Sequence, residues 1–332
     1  MLVPRHWAES TVRGTADSGR FTVRRFGWSN DGEDAAQRHA DERARDAAAR
    51  IEAGETITLR ERKVPYNGAD GLPIREEVLA ESLGGDAVIT RNAYGAQCLN
   101  VRDVLFADID HDQETVSARI FGCTAAALGF ALGVAAVPHL GGYLLGYVIL
   151  PLLGVIGAAA IHGAISRAVT RARGGPALSR MRTAERFVRA RPDWRLRVYE
   201  TPNGLRLLAM HRTFDPESDL EEVESFFRAV ESDVTYRKMC RLQRCFRARL
   251  TPKPWRVGIP DHLRPRPGVW PVDPSRLPDR DAWVERYEEA SEGYAACRFL
   301  TALGSDTVDA RAAAVRDLHD ELSGATSGLP IA

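Results

Sequence analysis

The stretch "NVRDVLFADIDHDQETVSARIFGCTAAALGFALG", Asn100 to Gly133, decides the fold. Its first half contains "VLFAD", a continuously apolar strand of the kind that lies centrally in a sheet with both faces covered. The strand ends on two acids, Asp108 and Asp110, whose side chains share a face because strand residues two apart point the same way. After residues 111–119 the chain enters a segment, Ile120 to Ser166, of 47 residues without Asp, Glu, Lys or Arg.

A membrane span needs about 20 apolar residues. Ile120 to Val137 supplies 18 and Leu140 to Ile165 supplies 26. Pro138, Gly141 and Gly142 mark a tight turn between them, so the segment predicts a two-helix transmembrane hairpin in the lipid bilayer. Gly129 and Gly133, Gly122 and Ala126, and Gly142 and Gly146 repeat a small-xxx-small spacing. These are either chance pairs in an alanine-rich segment or close-packing faces that support a homo-oligomer. Arg119 precedes the hairpin, and Arg167, Arg171 and Arg173 follow it, while the turn has no Lys or Arg. The positive-inside rule then predicts that both soluble arms are cytoplasmic. With an even number of spans, the two arms can build one domain.

Outside the hairpin the pattern alternates strands and helices. Trp7–Val12 and Arg20–Trp28 read as paired strands, followed by a charged helix ending near Gly54. A turn-rich loop leads to a short helix expected from Pro73. "AVITRNAYGAQCLNVRDVLFADID" gives three strands. After the hairpin, "ALSRMRTAERFVRAR" is a helix, and "WRLRVYET" and "LRLLAMH" flank a "PNG" turn as a β-hairpin. Two more helices precede a strand at "FRARL". A proline-rich connection from Pro260 and two closing helices, near Asp279–Leu303 and Val308–Leu322, complete the chain. The expected fold is α+β, a mostly antiparallel sheet with flanking helices, interrupted by the transmembrane hairpin. The expected division is 1–119 and 167–259 as two parts of one domain, 120–166 as the hairpin, and 260–332 as connection and helices.

Lys+Arg and Asp+Glu balance at 45 each, so no global charge excess advertises nucleic acid or a solvating tail. The 5 cysteines are scattered, which argues against a disulfide framework. Cys240 and Cys245 lack the second pair a zinc site needs. The N-terminus has no apolar core of a secretory signal.

Three clusters can carry chemistry. Asp108 and Asp110, with Asp215, are candidate ligands for Mg²⁺ or Mn²⁺, against the plainer reading of a polar strand end. Arg206 and His211, on and after the "PNG" strand, are candidate phosphate contacts, against an ordinary salt-bridged arginine. The stretch Arg237 to Arg256 holds eight basic residues and no acid. Within it Arg247, Arg249, Lys253 and Arg256 are candidate contacts to a phosphate-bearing ligand, nucleic acid or anionic lipid, with Trp255 among the interleaved aromatics.

The chain resembles an uncharacterised family of bacterial transmembrane proteins sharing "VPYNGADGLPIREE", "VLFADID", "YETPNGLRLLAMHRTFDP" and "CFRARLTPKPWR"; that resemblance implies no activity. A shorter resemblance is to the catalytic core of archaeo-eukaryotic primases and primase-polymerases. "LFADID" is similar to their metal-binding strand and "TPNGLRLL" to their nucleotide-contacting strand, with Arg206 where that family has histidine. This resemblance implies a divalent-metal-dependent nucleotide or polynucleotide site built on Asp108, Asp110 and Asp215. The competing reading is a non-enzymatic membrane-anchored binding or scaffold protein that contacts a protein partner or anionic lipid.

Overall fold

The computed structural model describes residues 1–17, 19–61, 72–110 and 176–332, with isolated positions between Thr124 and Ala160. In chain order the elements are β1 (His6–Ala16), β2 (Gly19–Ser29), α1 (Glu33–Glu52), β3 (Glu77–Ser82), β4 (Ala87–Arg91), β5 (Gln97–Val101) and β6 (Phe106–Asp110). After the insertion come α2 (Pro176–Ala190), β7 (Arg195–Thr201), β8 (Gly204–Ala209), α3 (Leu220–Ala229), α4 (Val234–Gln243), β9 (Phe246–Arg249), α5 (Leu277–Ser291), β10 (Arg298–Gly304) and α6 (Ala310–Ser323). The architecture is α+β, with antiparallel strand pairing throughout the named strands.

The expected single sheet is instead two four-stranded sheets, ordered β10-β7-β8-β6 and β3-β4-β5-β9, plus the β1-β2 hairpin. Both larger sheets are completed across the apolar segment, because β6 pairs with β8 and β5 with β9. A shared core follows, in which Leu99, Phe106 and Ile109 pack with Leu196, Leu207, Phe226 and Phe246 from beyond the insertion. The hairpin carries its own helix: Ala36, Ala40, Ala44 and Ile51 form the buried stripe of α1. Gly27 of β2 permits that helix to approach, since a Cβ there would sit 2.1 Å from the Ala40 backbone nitrogen.

One expected helix and the end of another are strands. Residues following Pro73 form β3, paired with β4, although Glu, Leu and Ala dominate its sequence. The closing helix expected to reach Leu303 stops at Ser291, and Arg298–Gly304 pairs with β7 as β10. In both places an available sheet edge overrides local helix propensity. Residues 260–332 are therefore part of the fold and not an appendage to it.

The two flanks of the insertion meet at one end of the domain. The Asp108 carbonyl accepts hydrogen bonds from the Asp233 amide at 3.1 Å and the Ser232 hydroxyl at 3.0 Å. The neighbouring Glu231 forms an ion pair with Arg180 of α2. Thus the strand leading into the insertion and the helix leading out of it are tied to the same turn, Glu231 to Asp233. The expected hairpin, with its small-residue faces and flanking arginines, lies almost wholly outside the described residues. Among the described residues no helix is long and apolar enough to cross a membrane. The isolated positions Thr124, Ala127, Ala131, Leu152, Leu153, Ile156, Gly157 and Ala160 are helical. Of these, Leu152, Leu153 and Ile156 are each more than half exposed.

Candidate functional site

Antiparallel pairing sets Asp108 of β6 directly opposite Arg206 of β8, and Asp110 opposite Gly204. Gly204, from the "PNG" turn, allows this close approach: a Cβ there would lie 1.8 Å from the Ile109 carbonyl oxygen. Arg206 Nε donates to Asp108 Oδ1 at 2.8 Å and Nη2 to Oδ2 at 3.2 Å. Its Nη1 donates to the Arg249 carbonyl at 2.8 Å, linking the two sheets, and faces His319 Nε2 at 3.2 Å. Burial disfavours a charged guanidinium here, but Asp108 outweighs it and raises the Arg206 pKa.

This geometry corrects two of the expected phosphate contacts. Arg206 is 1% exposed and its fork is committed to Asp108 and the protein interior. Arg247 is likewise committed: Nη2 donates to both carboxylate oxygens of Glu76, at 2.7 and 2.6 Å. An arginine drawn this far out of water must carry its counter-charge with it.

His211 and Asp215 are also separated from the acid pair. Phe214 donates its amide to the Asp103 carbonyl at 2.8 Å, at the opposite end of β6 from Asp110. Strand rise over those residues puts Asp215 on the order of 15 Å away from Asp108. Its carboxylate accepts the amides of Ser218 and Glu217, each at 2.9 Å, which hold its pKa down. The His211 ring packs against Trp194 and Phe214, where burial and then Arg212 lower its pKa. Asp215 thus caps the turn before α3, apart from Asp108 and Asp110.

The donor set does not fit the expected Mg²⁺ or Mn²⁺ pair. Both Asp108 oxygens are held by Arg206, and among the described residues no three His, Cys, Asp or Glu side chains are grouped to hold a metal ion. His111 and Asp112, which follow the strand, lie outside the described residues.

The remaining expected residues do converge. Asp110 is half-buried, and burial raises its pKa, reinforced by Asp108 and Asp233 and opposed by a hydrogen bond with Asn203 and the charge of Lys253. Lys253 in turn is pushed down by burial and by Arg249 and Arg256, with Asp110 and Asp108 opposing. Arg256 is lowered by burial and then by Arg249. Arg249 lies beside the Asp108–Arg206 pair, since its carbonyl accepts from Arg206 Nη1 at 2.8 Å. Lys253 and Arg256 act on the same surface as Asp110, where Asp233 is a second nearby carboxylate and the charge of Asp108 is met by Arg206. None of the three cations forms an ion pair within 4.0 Å among the described residues, whereas Arg237, Arg244 and Arg247 of the same stretch are paired with Glu224, Glu217 and Glu76. Arg256 Nη1 is buried with no hydrogen-bond partner there. Trp255 stands 55% exposed beside them, its ring 5.4 Å from Lys253 Nζ and 5.5 Å from the Tyr94 ring. The other aromatics of that stretch, Tyr236 and Phe246, are core residues.

Behind Arg206 runs a polar chain that the sequence did not advertise. His319, on the buried stripe of α6 with Ala312, Val315 and Ser323, faces Arg206 and, through Nδ1, Asp320 Oδ1 at 3.0 Å. A guanidinium can only donate, so His319 Nε2 accepts and Nδ1 carries the proton toward Asp320. Asp320 also accepts from Tyr199 at 2.7 Å and Arg197 at 2.5 Å. Cys297 Sγ lies 3.9 Å from His319 Nε2, but both residues are fully buried, so this is a supporting network and not a nucleophile site. The one legible signal was a histidine on an otherwise small and apolar helical stripe.

Compared with known proteins, the chain matches no family model, no curated protein and no solved structure.

Proposed function

We propose that this chain is a membrane-anchored binding protein whose α+β domain holds a phosphate-bearing ligand at the end of β6. Arg249, Lys253 and Arg256 supply the charge, Trp255 supplies an apolar contact face, and Asp110 is the ionisable neighbour that tunes it. The observation that carries this reading is the gathering of three cations without ion-pair partners among the described residues beside Asp110, where Arg237, Arg244 and Arg247 of the same stretch are each paired with an acid. Uncompensated positive potential on a surface favours anions, and arginine and lysine together suit phosphate oxygens. In this reading the apolar segment 120–166 crosses the bacterial inner membrane as a hairpin, with both arms on the cytoplasmic side. The exposed apolar positions Leu152, Leu153 and Ile156 suit lipid contact.

A metal-dependent nucleotide enzyme is the weaker reading, because Arg206 occupies both oxygens of Asp108. A bare scaffold leaves the cation cluster without a role. Titration calorimetry of the detergent-solubilised full chain with orthophosphate and with ATP, without divalent metal, tests the proposal. Binding by the wild type and its loss in Lys253→Ala/Arg256→Ala supports it; equal heats from both proteins, or none from either, would remove it.

A further inference from the structure

We infer that the phosphate taken by Arg249, Lys253 and Arg256 is the headgroup phosphate of an anionic lipid, with Trp255 seated in the interface of the bilayer. This deepens the proposed function and rests on it. The first ground is position. The Arg249 carbonyl accepts from Arg206 Nη1 at 2.8 Å, and the same guanidinium holds Asp108, two residues before Asp110, the last described residue ahead of residues 111–119. Asp110 is also among the charges acting on Lys253 and Arg256. The cluster therefore lies where the chain departs toward its apolar segment. Residues 111–119 can span at most roughly 35 Å when extended, so this end of the domain is tethered close to the bilayer surface.

The second ground is the return path. Arg180 of α2 is tied through Glu231 to the same turn that holds the Asp108 carbonyl, so both flanks of the insertion leave from this end. A domain held by two tethers on one side turns that side toward the membrane. The third ground is chemistry. Trp255 is 55% exposed on a rigid Pro254–Arg256 turn, with cations on either side in sequence. Tryptophan favours the headgroup level, where its ring is apolar and its N–H stays wet, and adjacent Lys and Arg favour the anionic cytoplasmic leaflet. For a soluble nucleotide the same ring would be a stacking face. The tethering on both flanks is what favours the lipid source.

The test uses the full chain reconstituted in nanodiscs of phosphatidylglycerol or phosphatidylcholine, each with and without brominated acyl chains. The difference in emission between wild type and Trp255→Phe isolates Trp255 from the other tryptophans. In brominated phosphatidylglycerol this component should be quenched, and in brominated phosphatidylcholine much less so. Lys253→Ala/Arg256→Ala should lower the ratio of docked to free domain about twenty-fivefold, at about fivefold per charge. An unchanged melting profile of both variants confirms that they fold. A Trp255 component equally bright in all discs, or equally quenched in both lipids, would overturn the inference. If orthophosphate or ATP then changes that component, the phosphate site stands and only its lipid source falls. If neither does, both readings fall.

Discussion

Arg206 clamps Asp108 across the β6–β8 ladder through two hydrogen bonds of 2.8 and 3.2 Å, with the arginine 1% exposed and the aspartate side chain 34% exposed. The pair joins sequence segments on either side of the apolar insertion. Arg206→Met would strand the Asp108 carboxylate and the Arg249 carbonyl without their donors. Removing one partner of a fully buried pair costs about 3–5 kcal/mol, and the loss here should be smaller because the stranded Asp108 carboxylate is one-third exposed to water. The Asp108→Leu/Arg206→Met double variant should recover a substantial part of that loss, as measured by chemical denaturation. A double variant that loses the sum of the two singles would show that the clamp is not a coupled pair.

Gly204 carries a steric requirement. A methyl group at this position would meet the Ile109 carbonyl oxygen at 1.8 Å, and that atom is backbone and cannot rotate aside. Gly204→Ala should cost roughly 1–3 kcal/mol by overpacking. Hydrogen exchange should be faster at Ile109 and Asp110 than in β4 or β5. Uniform acceleration across all strands would place the strain elsewhere.

Asp110 gives a pH signature. Its folded pKa is raised by burial and by Asp108 and Asp233, so the folded state holds the proton more tightly than the unfolded chain. The protonated form contributes stability at low pH that is lost as pH rises through the folded pKa. Asp110→Asn should therefore raise the melting temperature at pH 7 and have little effect at pH 3. A variant less stable than wild type at pH 7 would mean that the carboxylate is held by favourable contacts.

The same group should govern anion binding. Sulfate keeps its double charge throughout this range, so its affinity reports the protein alone. Binding to the wild type should strengthen as pH falls and Asp110 loses its charge, and Asp110→Asn should bind with a flatter pH profile. An affinity in the wild type that does not change between pH 7 and pH 4 would separate Asp110 from the cation cluster.

Much of this arrangement was legible before any coordinates. The apolar run "VLFAD" and the "PNG" hairpin were legible as strands, while their pairing, which sets Asp108 opposite Arg206, is a finding of the structure. What could not be read was which way the guanidinium points. Six buried residues in β8 leave Arg206 no exposed face, but burial on both sides is a property of the second sheet and of α6. The expected phosphate ligand became an internal counter-ion for that reason. β10 was hidden for a different reason. "RFLTALG" has the composition of a helix end, and only the open edge of β7 makes it a strand. Its terminus depends on Gly304, at φ 91°, where a Cβ would stand 2.0 Å from the Trp194 carbonyl. The basic stretch was legible as charge, yet its division into paired and unpaired cations depended on Glu76, Glu217 and Glu224 from other elements.

The central claim is that one fold is completed across an apolar insertion whose flanks meet at the Glu231–Asp233 turn. It is tested most directly by replacing Ile120 to Ser166 with a short flexible linker and following unfolding by hydrogen exchange and fluorescence together. The account predicts a protein free of the membrane with one cooperative transition, in which amides of β6 and β8 are protected and open together. Two separate transitions, or β8 amides protected while β6 exchanges freely, would contradict it.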